Sequence, residues 1–239
     1  MKLVLKFGGT SLASPKDIIG VAKTVVSFSK DNEIVVVCSA VDGVTDDLIL
    51  ISKMIEQRKK DAATKVLDEL IKKHRKLADQ TIKNSTIKKQ LLEKLSTDVS
   101  ELQELVRGLT LLKEVSARSL DYLVSFGERL SDDLVAFALQ DLKKKSTALN
   151  GKEVGIVTDS NFGESRPLMD TTRIRISKTL GSLLSKKIIP VVGGFAGADQ
   201  HGNITTFGRG GSDYTATIIA SCINADEVWL MSDVDGLMT

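Results

Sequence analysis

The spacing of apolar positions changes character twice along the chain. At both ends, short runs rich in β-branched residues alternate with longer stretches in which apolar residues recur every three or four positions, the pattern of a parallel sheet covered by helices. Strands are expected at residues 2–7, 34–38, 153–157, 188–192 and 227–231. Between the first two, Ser14 is a candidate N-cap, Pro15 stands in the first turn, and Ile18, Ile19, Val21, Ala22, Val25 and Val26 share one helical face. From about residue 46 to 142 the pattern is helical throughout, with no proline and little glycine. Its most charged part, roughly 57–107, is expected to form a helical hairpin projecting from the α/β body.

No internal repeat, low-complexity tract or linker divides the chain, so residues 1–239 are read as one domain. The last strand runs directly into "MSDVDGLMT". An alternating fold would feed another helix there, so the chain is expected to be a piece cut inside a domain.

Composition narrows the function. Of 239 residues, 42% are hydrophobic and 27% charged, enough to bury a sizeable core. Thirty-three basic residues against 31 acidic leave a formal net charge of +2, which supplies no bulk field for nucleic acid or an anionic membrane. Any anion must therefore be bound locally. The run Leu3-Val4-Leu5 stops at Lys6, far short of a secretory or spanning segment, and this places the protein in the cytoplasm. Cys38 and Cys222 lack Cys-x-x-Cys spacing and have only two histidines to join them, so they read as small buried hydrophobes and no metal site is expected.

The candidate chemistry gathers at glycine-rich loops. Gly8-Gly9 and Gly193-Gly194 follow predicted strands, and Gly208 to Gly211 opens a helix predicted to start at about Ser212. At the carboxyl ends of parallel strands such loops let backbone amides approach phosphate oxygens. No P-loop, dinucleotide fingerprint or protein-kinase motif is present. Lys6 interrupts an apolar strand just before Phe7-Gly8-Gly9, where an unpaired ammonium is costly, so it calls for an anionic partner such as a transferring phosphoryl group. Arg209, set between glycines, offers a fork for a carboxylate, and Asp213 near the helix start can fix a lysine. Ser39 and a capping Thr45 could hold a carboxylate through their hydroxyls. Gly127 within a helix costs on the order of 1 kcal/mol, which implies a close approach to the backbone, and Glu128 beside it could hold an ammonium group or enter a structural ion pair.

Five stretches, "KFGGTS", "SFGERLS", "PVVGGFAG", "TTFGRGGSDYTA" and "SDVDG", resemble in this order the aspartate kinase branch of the amino-acid kinase family. The resemblance covers essentially the whole chain. It implies a three-layer αβα sandwich around a mainly parallel sheet, with a helical insertion in the middle. It further implies transfer of a phosphoryl group from ATP, with Mg2+ carried by the nucleotide phosphates, to the side-chain carboxylate of L-aspartate, the entry to lysine, threonine and methionine biosynthesis. On the family's pattern Lys6 and Asp213 are catalytic, and Phe7, Gly8, Gly9 and Thr10 join Lys6 around the phosphates. Ser39, Thr45, Glu128, Arg209, Gly210, Gly211 and Ser212 bind the amino acid, and Ser232, Asp233 and Met238 lie on the nucleotide side. A homo-oligomer is expected.

There are departures. Ser232 replaces a frequent threonine, and Met238 stands where many relatives carry tyrosine. The family's further nucleotide elements and its regulatory domains would lie beyond Thr239, so the substrate half of the site and part of the ATP half are expected here. The alternatives are a kinase of another amino-acid carboxylate, of the glutamate or acetylglutamate type, or a non-catalytic nucleotide-binding module. Lys6 together with Asp213 speaks against the module, because binding alone does not need both.

Overall fold

The computed structural model describes residues 1–231. In chain order the first half runs β1 (Lys2–Phe7), α1 (Pro15–Phe28) and β2 (Glu33–Cys38), then α2 (Val44–Glu56), α3 (Lys60–Thr81), α4 (Ser85–Leu112) and α5 (Ala117–Asp141). The second half runs β3 (Ser146–Leu149), α6 (Gly151–Val154), β4 (Val157–Thr158), α7 (Met169–Ser185) and β5 (Ile189–Gly193), then β6 (Ala196–Asp199), β7 (Ile204–Thr206), α8 (Gly211–Ile223) and β8 (Glu227–Met231).

Five strands form the central sheet in the order β3-β5-β2-β1-β8, with every neighbouring pair parallel. Period-2 alternation divides its side chains between two cores. Leu3, Leu5, Phe7, Val36 and Cys38 face α1 and α5, whereas Val4, Val35 and Val37 face α7 and α8. The result is a mainly parallel sheet with helices on both sides, as expected. Ser14 does cap α1, its hydroxyl accepting from the Asp17 N–H. A smaller sheet, β4-β6-β7, sits beside the main one and is tied to α5 by Asp121, which accepts from Gly163 N, Thr206 N and Thr206 Oγ1.

Two expectations are corrected. Residues 153 and 154 of the strand expected at 153–157 belong instead to the helical turn α6, Gly151–Val154. Asn150 Oδ1 accepts from Glu153 N at 3.0 Å while Glu153 Oε2 accepts from Asn150 N at 2.8 Å, a reciprocal cap that outweighs the β-branched composition, and Gly155 ends the turn at φ 106°. The strand of the main sheet is instead β3, a few residues earlier. The helical hairpin exists as α3 and α4, but it lies on the body rather than projecting. Leu67, Leu70 and Ile71 of α3 and Leu91, Leu95 and Leu102 of α4 are buried in the same core as the strand residues Leu5 and Phe7.

Glycines report where the fold has no room. A Cβ on Gly151 would lie 1.8 Å from the Ala196 carbonyl oxygen, whereas one on exposed Gly20, within α1, would meet nothing within 4 Å. Gly151→Ala is therefore expected to destabilise the chain by about 3 kcal/mol or more through overpacking against backbone. Gly20→Ala should stabilise it by roughly 0.5–1 kcal/mol. Urea denaturation of the two variants checks this, and effects of the same sign would contradict the packing.

Candidate active site

Alternation along β1 places Lys6 on the same face as Val4, the face that α8 covers. Asp213 stands in the first turn of α8, and the Lys6 ammonium lies 2.7 Å from Asp213 Oδ1. The lysine side chain is 15% exposed, so the pair sits at the mouth of the sheet with its cation largely covered. Gly8 runs beside it, its missing Cβ 3.8 Å from Lys6 Nζ. The N–H groups of Gly9 and Thr10, at the start of a 3-10 turn (Thr10–Leu12), donate to no group among the described residues. Free amides beside an ammonium suit phosphate oxygens.

Glu128 comes up from α5 on the other face. Gly127 is indeed a point of close approach, but the neighbour is protein. A Cβ there would lie 2.8 Å from that of Ala40, in the loop after β2. This contact brings the Ala40 N–H to Glu128 Oε1 at 3.2 Å, while Oε2 is buried and accepts nothing among the described residues. Burial pushes the Glu128 carboxyl up to about 8, opposed by the hydrogen bond from Ala40. Arg129, next in sequence, gives it no relief, because its Nη2 donates to Asp98 at 2.5 Å and Glu101 at 2.7 Å. A cationic ligand group would supply what Glu128 lacks.

Gly208 and Gly210 take left-handed φ values of 74° and 77°, which set Arg209 at the tip of the loop entering α8. Arg209 is exposed and forms no ion pair among the described residues. Its guanidinium, Glu128 and the Lys6–Asp213 pair all line one cleft of about 340 Å3. Gly9, Ser39, Thr45, Gly210, Gly211 and Ser212 complete its wall. The hydroxyls of Ser39 and Thr45 are engaged by no other side chain or backbone group among the described residues.

The cleft thus gathers every residue named for the amino acid and both named as catalytic. Other expectations change. Thr45 is not a cap: Gly43, at φ 77°, holds that position in α2 and Thr45 lies within the first turn. The ring of Phe7 is buried in the core and its carbonyl accepts from Ser39 N, so this residue anchors strands. Gly193 and Gly194 are not phosphate amides but packing points, since Cβ atoms there would lie 2.7 Å from Asp132 Oδ2 and from Ser212 Cβ. Ser232, Asp233 and Met238 lie outside the described residues. Phe195 was missed. It lines the cleft at a strained φ of 69°, fixed by Thr215 Oγ1 accepting from its N–H, and an aromatic residue set after two glycines at a strand end was the available signal.

Comparison with known proteins identifies relatives along the whole chain. The family model described as "Amino acid kinase family" matches residues 1–239. Aspartokinase 3, chloroplastic, of Arabidopsis thaliana is 36% identical over 99% of this chain and 41% of its own length. A structure of E. coli aspartokinase III in complex with lysine and aspartate superposes with a TM-score of 0.88 at 26% identity, covering 98% of this chain and 50% of that one. A second structure of that enzyme, in complex with aspartate and ADP, gives a TM-score of 0.80 at 26% identity, covering 99% and 50%. The chain therefore spans between two fifths and half the length of these relatives.

The unpartnered carboxylate has a measurable consequence. A carboxyl raised from 4.5 to about 8 on folding favours the folded state while protonated, and that advantage is lost as pH rises across this window. Glu128→Gln keeps the shape and removes the charge. Its stability relative to wild type is expected to rise between about pH 4.5 and pH 8 and then level off, by on the order of a few kcal/mol in total. Thermal unfolding across this range without ligand checks it, and a pH-independent difference would mean that Glu128 is already compensated.

Proposed function

The chain belongs to the amino acid kinase family, and on that premise we propose that it phosphorylates the side-chain carboxylate of L-aspartate with ATP, giving 4-phospho-L-aspartate. One observation carries the choice of acceptor: a buried carboxylate oxygen on Glu128 that accepts nothing among the described residues shares a cleft with Arg209, which forms no ion pair among them. A free amino acid bears one ammonium and one α-carboxylate to match them. The aspartate named in the titles of the E. coli complexes is consistent with this.

When bound, ATP supplies the phosphoryl group, with Mg2+ on its phosphates. The free amides of Gly9 and Thr10 and the adjacent Lys6 fit that chemistry, and the ADP of a related structure supports nucleotide use. The acceptor carboxylate is ionised at neutral pH, so the reaction needs no general base. The residues of the chain have charge to balance and groups to orient. Glu128 takes the ammonium, Arg209 takes the α-carboxylate, and Ser39 and Thr45 offer hydroxyls to carboxylate oxygens. The side chain is thereby turned toward Lys6, whose ammonium offsets the charge spreading over the transferring group. Asp213, 2.7 Å away, holds that ammonium in place. Ser232, Asp233 and Met238 remain the proposed contacts on the ribose and base side.

An N-acylated amino acid would leave Glu128 without a cation, which disfavours an acetylglutamate-type acceptor. The cytoplasm remains a proposal, supported by two buried, unbridged cysteines; one relative is named as chloroplastic. No helix among the described residues is long and apolar enough to cross a membrane. A homo-oligomer is likewise proposed, and the exposed Leu111 and Leu112 at the end of α4 are apolar surface that it would cover.

Calorimetric titration with L-aspartate tests the acceptor. Saturable binding that weakens at least about 100-fold in Arg209→Ala is expected, with N-acetyl-L-aspartate failing to compete. Equal binding of the acylated compound would overturn the assignment of Glu128. In phosphorylation assays, Lys6→Ala and Asp213→Ala should each lower kcat by on the order of 100-fold or more while changing aspartate affinity far less. Near wild-type turnover would remove that residue from the chemistry.

A further inference from the structure

A groove of about 770 Å3, larger than the cleft, lies between α4 and α5 on one side and α6 with the β6–β7 hairpin on the other. Its charged wall carries three basic side chains, Arg118, Arg129 and Lys152, against one acidic, Glu153. Arg118, in the first turn of the 25-residue helix α5, is exposed and forms no ion pair among the described residues. Lys152 faces it from α6, its ammonium donating to the Gly202 carbonyl at 3.0 Å, which leaves two N–H donors. Between them, Arg129 lies over the Phe126 ring at 4.4 Å. Among the described residues only its Nη2 is engaged, by Asp98 and Glu101, which leaves Nη1 and Nε as donors. The acidic groups nearby are already occupied: Glu101 by Arg129 and Tyr122, and Glu153 by the cap of α6. Leu105, Tyr122 and Ile204 add apolar wall.

The groove is separate from the cleft. A cavity of about 40 Å3, walled by Arg129 and Tyr122 toward the groove and by Glu128 toward the cleft, lies between them and has room for water but not for an amino acid. The groove is therefore no entrance to the active site. We propose that it is a second ligand site, for a small organic anion that carries carboxylate or phosphate groups on a partly apolar body and is gripped by Arg118, Arg129 and Lys152. Its volume suits one such molecule. The charges converge from two elements, and Arg129 is held in place by buried Asp98 and by the partly exposed Glu101, so the grip is largely preformed. The site does not depend on what the cleft phosphorylates.

Two probes separate the carboxylate and phosphate sources: phthalate and phenyl phosphate, each titrated into the 15N-labelled chain and followed by amide chemical shifts. At least one is expected to saturate with a Kd of about 1 mM or tighter, shifting Arg118, Ser119, Lys152 and Asn203, and to weaken as KCl is raised. The probe that binds identifies the anionic group. Arg118→Ala/Lys152→Ala should weaken binding at least about tenfold, and since both side chains are exposed the fold should tolerate the change. If it does not, Arg118→Glu alone provides the same readout. Failure of both probes to saturate, shifts confined to Lys6 and Arg209 in the cleft, or an affinity unchanged in the variant would each overturn the proposal.

Discussion

Ala40 sits where three backbones meet, and the cleft depends on how closely they do so. A Cβ on Gly9 would lie 2.8 Å from the Ala40 carbonyl oxygen, and one on Gly127 would lie 2.8 Å from the Ala40 methyl. A side chain at either position would lift the loop after β2 away from α5. The Ala40 N–H could then no longer reach Glu128, and the Ser39 carbonyl would lose the hydroxyl of Ser131, now 2.7 Å away. These glycines are needed for approach rather than for unusual torsions, and what they admit is protein. The anionic end of the cleft is thus positioned by packing among β1, β2 and α5 before any ligand arrives.

The helices beneath the sheet carry several buried carboxylates, and the treatment of each separates structure from function. Asp121 accepts three hydrogen bonds and ties α5 to the smaller sheet. Asp98 is paired with Arg129 and Lys94. Burial pushes Asp133 up to about 7 against the pull of Lys94, 3.8 Å away. Glu128 has, among the described residues, one backbone donor on one oxygen and none on the other. A buried polar atom without a partner costs about 1–3 kcal/mol. Glu128 faces a cleft with an arginine that forms no ion pair among the described residues, an underpaired arrangement that marks a binding site.

Much of this was legible because local chemistry and tertiary demand agreed. Ser14-Pro15 specified the start of α1, and the glycines around Arg209 specified the loop into α8. Lys6 in an apolar strand announced a need for an anion, which Asp213 meets. The failures came where two local signals competed or the partner was remote in sequence. Around residue 153 the β-branched run points to a strand, whereas the reciprocal cap between Asn150 and Glu153 decides for a helical turn. The strand Ile204–Thr206 is absent from the expected elements because a strand of this length has no readable period. Gly193 and Gly194 resemble a phosphate loop, and only the fold shows Asp132 and Ser212 occupying the space.

The meeting of Lys6 with Asp213 follows from topology rather than from chance. Crossovers between parallel strands are right-handed, so connections running in opposite directions along a sheet must cover opposite faces. From β1 the chain moves to β2 through α1, and from β2 on to β3 through α5, both on the face of Leu5. From β5 it must return past β2 and β1 to reach β8, so α8 is driven to the other face, that of Val4. A helix that follows a parallel strand begins at the carboxyl end of the sheet, where β1 also finishes. Lys6 is the next-to-last residue of β1 and shares the face of Val4, so its ammonium emerges beside the first turn of α8. Glu128 reaches the same end from the opposite face. In the cleft, charges from both helical layers converge on the same strand ends, Glu128 from one layer and Arg209 with the Lys6–Asp213 pair from the other.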